Sequence, residues 1–483
     1  MAFNAVKSSG AFARAPEMAD TDSDRNHAAE PVSVRTRDRY DLATAIGVVG
    51  HMETSAGRAA VYEEIKKKNA VYRIVDRLYA QAGTRFFQPL VLLLYMVKCA
   101  ISIGPWGQED AEAVAISNFD NEHRTVARVT ALIPGVPVLR LTVERKHIFS
   151  ARQIKVALRM LLSARRIWPF LRILVRKHSF MPSARIASAL AFYMRFSWLL
   201  AERKAINAAI VASNYSPEAV GMAAAAHRMG RRVIYSNHAP VPANGTVVPP
   251  VYADCALFYG EKSKNTYEDR SACTAEVTYI GQPGKSQPMR WKDTVATVGI
   301  FLTSGTKVDV LRSLIATIRV DLPEAKILIR QHPVLLLKTD FSGLDLDDDN
   351  VELTIGNPLD DEIAECDLVI CGNSGVAMNV LSGGRPVAYL SSLDGIHFDA
   401  NGFVASRLVH AMPWWSEDIY DRLKAFYQTP GWHGVMQSYD ASYGTDIDAL
   451  QKEAAGVLVR HIRPGCGAHR PGEDNGRSET RAA

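Results

Sequence analysis

Two short segments in the C-terminal half of the sequence combine small hydroxyl and amide residues where they could bind a phosphate. Thr303-Ser304-Gly305 and Asn373-Ser374-Gly375 each follow a predicted buried strand and precede a predicted helix. Free backbone N–H groups and the helix dipole attract an anion at such a helix start. One such segment alone more often provides only an N-cap for its helix. Two segments in one half of the chain favour a phosphate-binding site.

A third predicted strand end carries an arginine and a histidine. His332 follows a strand that ends at Arg330 and precedes Pro333, which restricts the histidine backbone to an extended form. A histidine at the edge of a sheet can donate a hydrogen bond to a phosphate or place partial positive charge beside it. A lone histidine there usually has a structural role. Arg330 is either a supporting cation or simply the end of the strand.

These segments require a scaffold of alternating strands and helices. From residue 113 onward, short apolar runs alternate with amphipathic helical patterns, which is typical of βαβ units and a parallel sheet. Ligands bind such sheets beyond the carboxyl ends of the strands, where all three segments lie. Turn residues at 281–284 mark a hinge. The sequence therefore predicts an α/β fold with two Rossmann-like, doubly wound domains and an added N-terminal helical segment.

The predicted organisation divides the chain into six parts. They are a disordered leader (1–38), a helical N-terminal element (39–110), an N-terminal Rossmann-like domain (111–288), a C-terminal Rossmann-like domain (289–412), C-terminal helices (413–463) and a disordered tail (464–483). The leader is polar, charged and poor in aromatic residues, and the tail is rich in Gly, Pro and Arg, so neither is expected to fold.

Composition excludes several classes of protein. A chain of 483 residues that is 47% hydrophobic is globular and has ample apolar material for two cores. Its six cysteines occur singly, which indicates neither a disulfide framework nor a structural zinc site and favours the cytoplasm. The start of the chain does not have the pattern of a signal peptide. A net charge of +5 is too modest for this length to imply a nucleic-acid partner.

The positive charge is concentrated in a helical insertion at 146–203 of the N-terminal domain. Nine Lys and Arg residues lie between 146 and 177, interleaved with Trp168, Phe170 and several leucines and isoleucines. This mixture suits an interfacial helix on an anionic membrane, and it also suits a basic helix packed on its own domain. The most apolar stretch, 86–106, is interrupted by Gln88, Pro89 and Lys98, so a buried or interfacial helix is expected rather than a membrane span.

Several motifs together resemble two-domain (GT-B) bacterial glycosyltransferases, particularly those that build capsules and other surface polysaccharides. The resemblance covers 207–409. It rests on the order and spacing of four motifs. Two are the run Leu368–Leu390, with Asn373-Ser374-Gly375 and Gly384-Arg385-Pro386-Val387, and the segment Ile329-Arg330-Gln331-His332-Pro333, which is similar to a strand-His-Pro motif of bacterial sialyl- and polysialyltransferases. The other two are Tyr259-Gly260-Glu261 followed by Gly281-Gln282-Pro283, and His238-Ala239.

The resemblance implies two domains that face each other across a cleft and a metal-independent transfer of sugar from a nucleotide-sugar donor. The donor would bind the C-terminal domain, where Asn379 stands at the position that is commonly a ribose-binding Glu in such enzymes. Asn can bond a hydroxyl but offers no bidentate carboxylate, so CMP-linked, UDP-linked, lipid-linked and glycerol-type donors all stay open. The implied donor-binding residues are Thr303, Ser304, Gly305, Arg330, Pro333, Asn373, Ser374, Gly375 and Asn379, with His332 in a catalytic role beside the leaving phosphate. No separate cofactor is implied.

The implied acceptor is a glycan or lipid-linked glycan, handled at the inner face of the cell membrane. A catalytic base must reach its hydroxyl group within hydrogen-bond distance. His238, Glu218 and Asp254 are candidates at or near the exit loops of the N-terminal domain, and His238 is the one we favour. His397 and Asp399 could touch the donor sugar or could form a turn.

Two other functions fit the same predicted fold. A UDP-sugar 2-epimerase would share the paired domains, and we expect such an enzyme to carry more acidic residues in its N-terminal cleft. A membrane-associated polysaccharide assembly factor without turnover is the non-enzymatic alternative, which the Asn379 departure supports, since fold does not fix function.

Overall fold

The computed structural model describes residues 40–83, 86–104, 110–143, 150–244, 247–284, 286–303, 305–332, 341, 344, 349–395 and 398–464. The predicted leader, the predicted tail beyond Pro464, and the predicted site residues Ser304, Pro333 and His397 lie outside these ranges. Within them the chain forms two sheets of mainly parallel strands that are connected by helices.

Within the described part of the chain, four helices precede the first long strand. They are α1 (Leu42–Glu53), α2 (Ala56–Lys68), α3 (Ala70–Gln81) and α4 (Phe87–Ile101). Side chains that accept a backbone N–H cap the first three: Asp41 from Thr44 (2.8 Å), Ser55 from Arg58 (3.3 Å) and Asn69 from Tyr72 (3.0 Å). These helices form the added N-terminal helical segment of the predicted fold class.

The N-terminal sheet has seven strands. They are β1 (Ile103–Gly104), β2 (Ala113–Ser117), β3 (Val138–Val143), β4 (Ala208–Val211), β5 (Arg232–Ser236), β6 (Cys255–Phe258) and β7 (Glu276–Tyr279), in the spatial order β1-β3-β2-β4-β5-β6-β7. Every neighbouring pair is parallel except β1 and β3. β2, β4 and β6 are buried along their whole length, as expected for a parallel sheet covered on both faces.

Six helices lie between the strands of this sheet along the chain. They are α5 (Asp120–Ala131), α6 (Ala151–Leu162), α7 (Ala164–Lys177), α8 (Phe180–Glu202), α9 (Pro217–Arg228) and α10 (Glu261–Arg270). The predicted basic insertion forms α6, α7 and α8, and it joins the largest core cluster through side chains such as Met160, Leu171 and Phe196. Among the helices described, none combines the length and the apolar character that crossing a membrane requires.

The C-terminal sheet has six strands, all of them parallel to their neighbours. They are β8 (Thr297–Phe301), β9 (Lys326–Arg330), β10 (Val351–Thr354), β11 (Leu368–Cys371), β12 (Val387–Tyr389) and β13 (His410–Ala411), in the spatial order β10-β9-β8-β11-β12-β13. Numbered within this domain, the order is 3-2-1-4-5-6, that of the dinucleotide-binding Rossmann fold. Three helices connect the strands: α11 (Val308–Asp321), α12 (Leu359–Glu365) and α13 (Val376–Ser382). The predicted fold class is confirmed.

The chain crosses between the two domains twice, and a buried aspartate links the crossings. After α14 (Ile419–Tyr427) and α15 (Trp432–Tyr439), helix α16 (Ile447–Ile462) returns to the N-terminal sheet, where Leu458 shares a core cluster with Leu257. Asp440 is fully buried and accepts hydrogen bonds from the Gln282 N–H (2.9 Å) and the Ser286 hydroxyl (2.6 Å) of the first crossing. One carboxylate therefore fixes both connections at the hinge predicted near 281–284.

Candidate active site

The C-terminal sheet reverses its strand order between β8 and β11, and two predicted phosphate-binding segments follow these strands. Phe301, the last residue of β8, pairs with Cys371, the last residue of β11. Thr303 and Asn373 therefore leave the sheet side by side, at the edge where doubly wound folds bind their ligands. The structure thus brings together the two loops that the sequence singled out.

A buried aspartate that is not predicted from the sequence joins these loops. Asp394 is 2% exposed, and its carboxylate accepts hydrogen bonds from the Thr303 hydroxyl and the Asn373 backbone N–H. Burial raises the pKa of Asp394, although the Thr303 bond opposes that rise. Gly372 makes room for the carboxylate, since a Cβ there would overlap it. No sequence signal marks Asp394, because a single Asp after a strand is also typical of turns.

Several donors of the predicted phosphate site are already bonded within the protein. The Ser374 N–H binds the Gly372 carbonyl (2.8 Å), and the Ser374 hydroxyl accepts the Val376 N–H (3.3 Å) at the start of the seven-residue helix α13. The Gly305 N–H binds the Thr303 hydroxyl (3.2 Å). These bonds fit the capping role that such residues often have. Nucleotide contacts therefore remain predictions for Thr303, Gly305, Asn373, Ser374, Gly375 and Asn379.

Strand β9 places His332 near the exit loop of β8, because Arg330 pairs with Phe301 in the sheet. Burial lowers the pKa of His332, which keeps its imidazole neutral at pH 7. The Arg330 guanidinium binds the buried Glu362 carboxylate and the Asn357 carbonyl (3.0 Å). Arg330 therefore has a structural ion pair, and a further contact with phosphate remains a prediction.

The N-terminal sheet carries buried carboxylates at its own reversal point, where β2 and β4 end. Glu122 on α5 and Glu218 on α9 are 4% and 1% exposed. Asn118 connects them, since its backbone N–H donates to Glu122 (2.8 Å) and its side-chain amide donates to Glu218 (3.0 Å). Burial, and after it the charge of Glu218, raise the pKa of Glu122 to about 7. A carboxyl group with that pKa can exchange a proton near neutral pH.

The N-terminal helices contribute to this cluster of charges. Glu53, the last residue of α1, is 1% exposed and accepts hydrogen bonds from Arg185 of α8 (3.0 Å) and from the Tyr62 hydroxyl of α2. Burial lowers the pKa of Arg185, but the nearby carboxylates of Glu218 and then Glu53 outweigh this effect, so the pKa is raised overall. The ion pair between Glu53 and Arg185 joins residues 132 positions apart, which no local pattern can predict.

We expect Glu122→Gln to stabilise the protein in a pH-dependent way. The Glu122 pKa rises from 4.5 to about 7 on folding, so the wild-type protein loses stability as pH rises through this interval, where only the unfolded chain releases the proton. Gln carries no charge and can still accept the Asn118 N–H. Relative to wild type, the free energy of unfolding of the variant should increase by up to about 3 kcal/mol between pH 4.5 and pH 8. Urea unfolding at several pH values measures this, and a pH-independent difference would contradict it.

His238 lies at the exit of β5 and contacts the exit of β4, in a position suited to a general base. Its Nδ1 is 2.5 Å from the Ala212 carbonyl oxygen, so Nδ1 carries the hydrogen and Nε2 carries the lone pair. Burial lowers the pKa of His238, although the Ala212 bond opposes this, and the ring is therefore neutral at pH 7. A neutral histidine with a fixed tautomer is the form that accepts a proton from a hydroxyl group.

Asp254 does not lie at this edge, and its predicted position near the cleft is wrong. It precedes β6, at the amino end of the strand, where it binds Arg232 (2.6 Å) and His227 (3.2 Å). Since the strands are parallel, the amino end of β6 belongs to the edge opposite His238. Asp254 is therefore a structural ion-pair residue.

The loop that follows His238 contacts the C-terminal domain beside the Asn373 loop. A Cβ on Gly375 would lie only 3.3 Å from Cδ of Pro240, so these two loops lie close together. The candidate base stands two residues before Pro240. The carboxyl edges of the two sheets therefore face each other, with His238 on one side and the predicted donor-binding loop on the other.

A second contact holds the same two loops together. Asn244 donates from its backbone N–H to the Ala400 carbonyl (3.0 Å) and from its side chain to the Asp399 carbonyl (2.6 Å). The Ala400 N–H donates in turn to the Asn373 side chain (2.9 Å). The Asp399 carboxylate accepts three backbone N–H groups of residues 403–405, which is the turn role that the sequence left open.

No protein-family model matches the chain, and no curated protein matches it in sequence. Solved structures that resemble it include the UDP complex of MnaA from S. aureus, with 8% identity, a TM-score of 0.45 and coverage of 72% of this chain and 96% of that chain. A UDP-GlcNAc 2-epimerase from Neisseria meningitidis bound to UDP-GlcNAc has 13% identity, a TM-score of 0.44 and coverage of 72% and 99%. The glycosyltransferase SnogD from Streptomyces nogalater has 13% identity, a TM-score of 0.42 and coverage of 73% and 99%. Both sugar epimerases and glycosyltransferases are thus among the similar structures, and the resemblance does not separate the two.

Proposed function

We propose that this protein is a metal-independent GT-B glycosyltransferase that moves a sugar from a nucleotide-sugar donor to a growing surface polysaccharide or a lipid-linked glycan. The observation that carries the proposal is the placement of His238. Its tautomer is fixed by the Ala212 carbonyl, its Nε2 is free of a proton at pH 7, and its loop lies close to Gly375 of the opposite domain. Transfer of a group to a hydroxyl requires a base beside that hydroxyl, and His238 lies where the ligand-binding edges of the two sheets face each other.

The proposed reaction uses the two edges together. His238 Nε2 takes the proton of the acceptor hydroxyl, and the oxygen of that hydroxyl forms a bond to the anomeric carbon of the donor sugar. The bond from this carbon to the phosphate oxygen breaks, and its electron pair leaves with the nucleotide. His332 and the hydroxyl and amide groups of the C-terminal loops hold the departing phosphate by hydrogen bonds.

The donor in this proposal is a CMP- or UDP-linked sugar that binds at the C-terminal reversal point. The binding residues are Thr303, Ser304, Gly305, Arg330, Pro333, Asn373, Ser374, Gly375 and Asn379. The proposal that the product is a capsule-like polysaccharide is based on the motif resemblance, including the His332-Pro333 pair. We place the reaction in the cytoplasm, at the inner face of the cell membrane.

One observation favours a second candidate function, a UDP-sugar 2-epimerase. Such an enzyme needs proton-transferring groups in its N-terminal cleft, and Glu53, Glu122 and Glu218 are buried at or beside that edge. The Glu122 pKa of about 7 suits proton transfer to and from carbon. Reaction in D₂O separates the two functions, because epimerisation at carbon 2 introduces deuterium there and transfer does not.

The proposal is tested by incubating the purified protein with a panel of nucleotide sugars, with and without membrane glycan acceptors. Release of nucleotide that depends on the acceptor supports transfer. Isomerised sugar without an acceptor supports the epimerase. Donor binding without turnover of any kind supports a non-catalytic assembly factor.

We expect His332→Ala and Ser374→Ala each to weaken donor binding by at least about tenfold, the cost of one lost hydrogen bond to a charged phosphate. Ser313→Ala is the matched control, because Ser313 is exposed on α11 and bonds only within its own helix. Calorimetric titration with the donor measures the affinities. Near-normal donor affinity in both site variants would show that the C-terminal loops do not bind the donor.

A further inference from the structure

Exposed apolar side chains are concentrated on one set of helices. Among the side chains that the structure describes, eleven of the seventeen exposed large hydrophobic ones belong to α3, α4, α6 and α7 or to Phe86, directly before α4. Leu162 at the end of α6 is 83% exposed, and Leu78 and Phe87 are each 61% exposed. Scattered apolar residues are normal on a protein surface, whereas a concentration of this kind indicates an interaction surface. We call the outer face of these four helices the basic-apolar face.

The charge of this face has a single sign along α6 and α7. Between Ala151 and Lys177 there are eight Lys and Arg residues and no Asp or Glu. Only Arg159, which binds Glu202 of α8 at 2.8 Å, is half-buried, and the other seven basic residues are exposed. Soluble surfaces usually intersperse both signs of charge. The basic-apolar face is therefore complementary to an anionic partner.

The helices of this face pack on the N-terminal core. α6 and α7 bury one side, through residues such as Val156, Met160, Leu171 and Leu174, and expose the other. The Phe86 ring lies 5.6 Å from the Trp168 ring, which connects the start of α4 to α7. The exposed apolar residues are thus not a failure of packing, since the helices that carry them are already packed on their inner side.

The arrangement of charge and apolar area distinguishes between kinds of partner. The core of a protein–protein interface is depleted of charged residues. On α7, by contrast, Ile173 stands between exposed Arg172 and Arg176, and on α6, Leu158 follows exposed Lys155. Interfacial helices have this pattern, because apolar side chains enter the acyl boundary while Lys and Arg stay among anionic headgroups.

We propose that the basic-apolar face docks on an anionic lipid bilayer and lies within its headgroup region. Helix α8 connects this face to the predicted acceptor edge, because α7 leads through His178 and Ser179 into α8, whose Arg185 binds Glu53 beside Glu218. If the proposed function holds, docking presents this edge to acceptors carried by lipid. Docking itself does not depend on turnover.

Sedimentation with vesicles tests the proposal without any measurement of activity. The wild-type protein should bind vesicles that contain phosphatidylglycerol and not vesicles of phosphatidylcholine alone, and added salt should weaken binding. A variant with Arg165, Arg166, Arg172 and Arg176 changed to Gln should bind at least about 100-fold more weakly. Its control carries Gln at four other exposed basic positions, Arg312, Arg422, Lys424 and Lys452, and should bind within about twofold of wild type.

A second variant separates the contribution of apolar side chains that enter the bilayer from the contribution of charge alone. Leu158→Ser combined with Leu162→Ser leaves the net charge unchanged and should still weaken binding to the anionic vesicles about tenfold or more. The proposal is overturned if the wild-type protein stays in the supernatant with anionic vesicles. It is also overturned if the arginine variant binds as tightly as its control, which would point to a protein partner.

Discussion

His238→Asn should lower kcat by about 10²- to 10⁴-fold, the usual contribution of a general base. The Asn side chain can still donate a hydrogen bond to the Ala212 carbonyl, which Nδ1 of His238 binds at 2.5 Å, but it has no group in the place of Nε2. The variant should therefore fold with wild-type stability to within about 1 kcal/mol. Donor affinity should also stay close to that of wild type, since the donor loops belong to the other domain.

Steady-state kinetics and calorimetric titration check this result together. His433→Asn is the matched control, because His433 is exposed on α15. In the wild-type protein, kcat should fall at acid pH with an apparent pKa below 6.5, in the direction that burial shifts the pKa of His238. A His238→Asn enzyme that retains kcat within about threefold would exclude a base at this position.

Asp394→Ala should weaken donor binding by at least about tenfold and should also lower the free energy of unfolding. Removing the carboxylate leaves the Thr303 hydroxyl and the Asn373 N–H without their partner, at a cost of about 2 to 4 kcal/mol for two partly buried donors. The two exit loops then lose the group that joins them. Asp394→Asn keeps an acceptor oxygen and should show a smaller loss of both affinity and stability.

Asp367→Ala is the control that separates loop positioning from general destabilisation. Asp367 is also buried in the C-terminal domain, and its carboxylate accepts the N–H groups of Ala296 (2.8 Å) and Thr297 (3.0 Å) at the amino edge of the sheet. Asp367→Ala should lower the free energy of unfolding, measured in urea, by about as much as Asp394→Ala without changing donor affinity. Equal donor affinities in the Asp394 and Asp367 variants would show that the Asp394 network has no part in donor binding.

The fold could be predicted because its strands and helices carry strong local signals. The run Leu368–Cys371 is buried along its length and reads as a strand of a parallel sheet. Pro217 at the first turn of α9 and Gly230 just beyond its end mark that helix from the sequence alone. The two-residue strand β13 and the eight-residue helix α15 were not predicted, since such short elements show little periodicity.

The candidate site was only partly predictable, because its geometry depends on contacts between distant residues. The positions of Thr303, Asn373 and His238 at strand ends followed from the alternation of strands and helices. Asp394 joins Thr303 from 91 residues away, and Arg185 joins Glu53 from 132 residues away. Ion pairs and shared carboxylates of this kind leave no periodic pattern in the sequence. The pairing of Arg330 with Glu362 was hidden for the same reason.

Release of nucleotide from a nucleotide sugar, measured with and without membrane glycan acceptors, decides whether the protein is a transferase. The wild-type protein should release nucleotide only when an acceptor is present, and His238→Asn should slow this release at least about 100-fold while it still binds the donor. Conversion of the sugar without an acceptor and without nucleotide release, unaffected by His238→Asn, would contradict the assignment as a transferase.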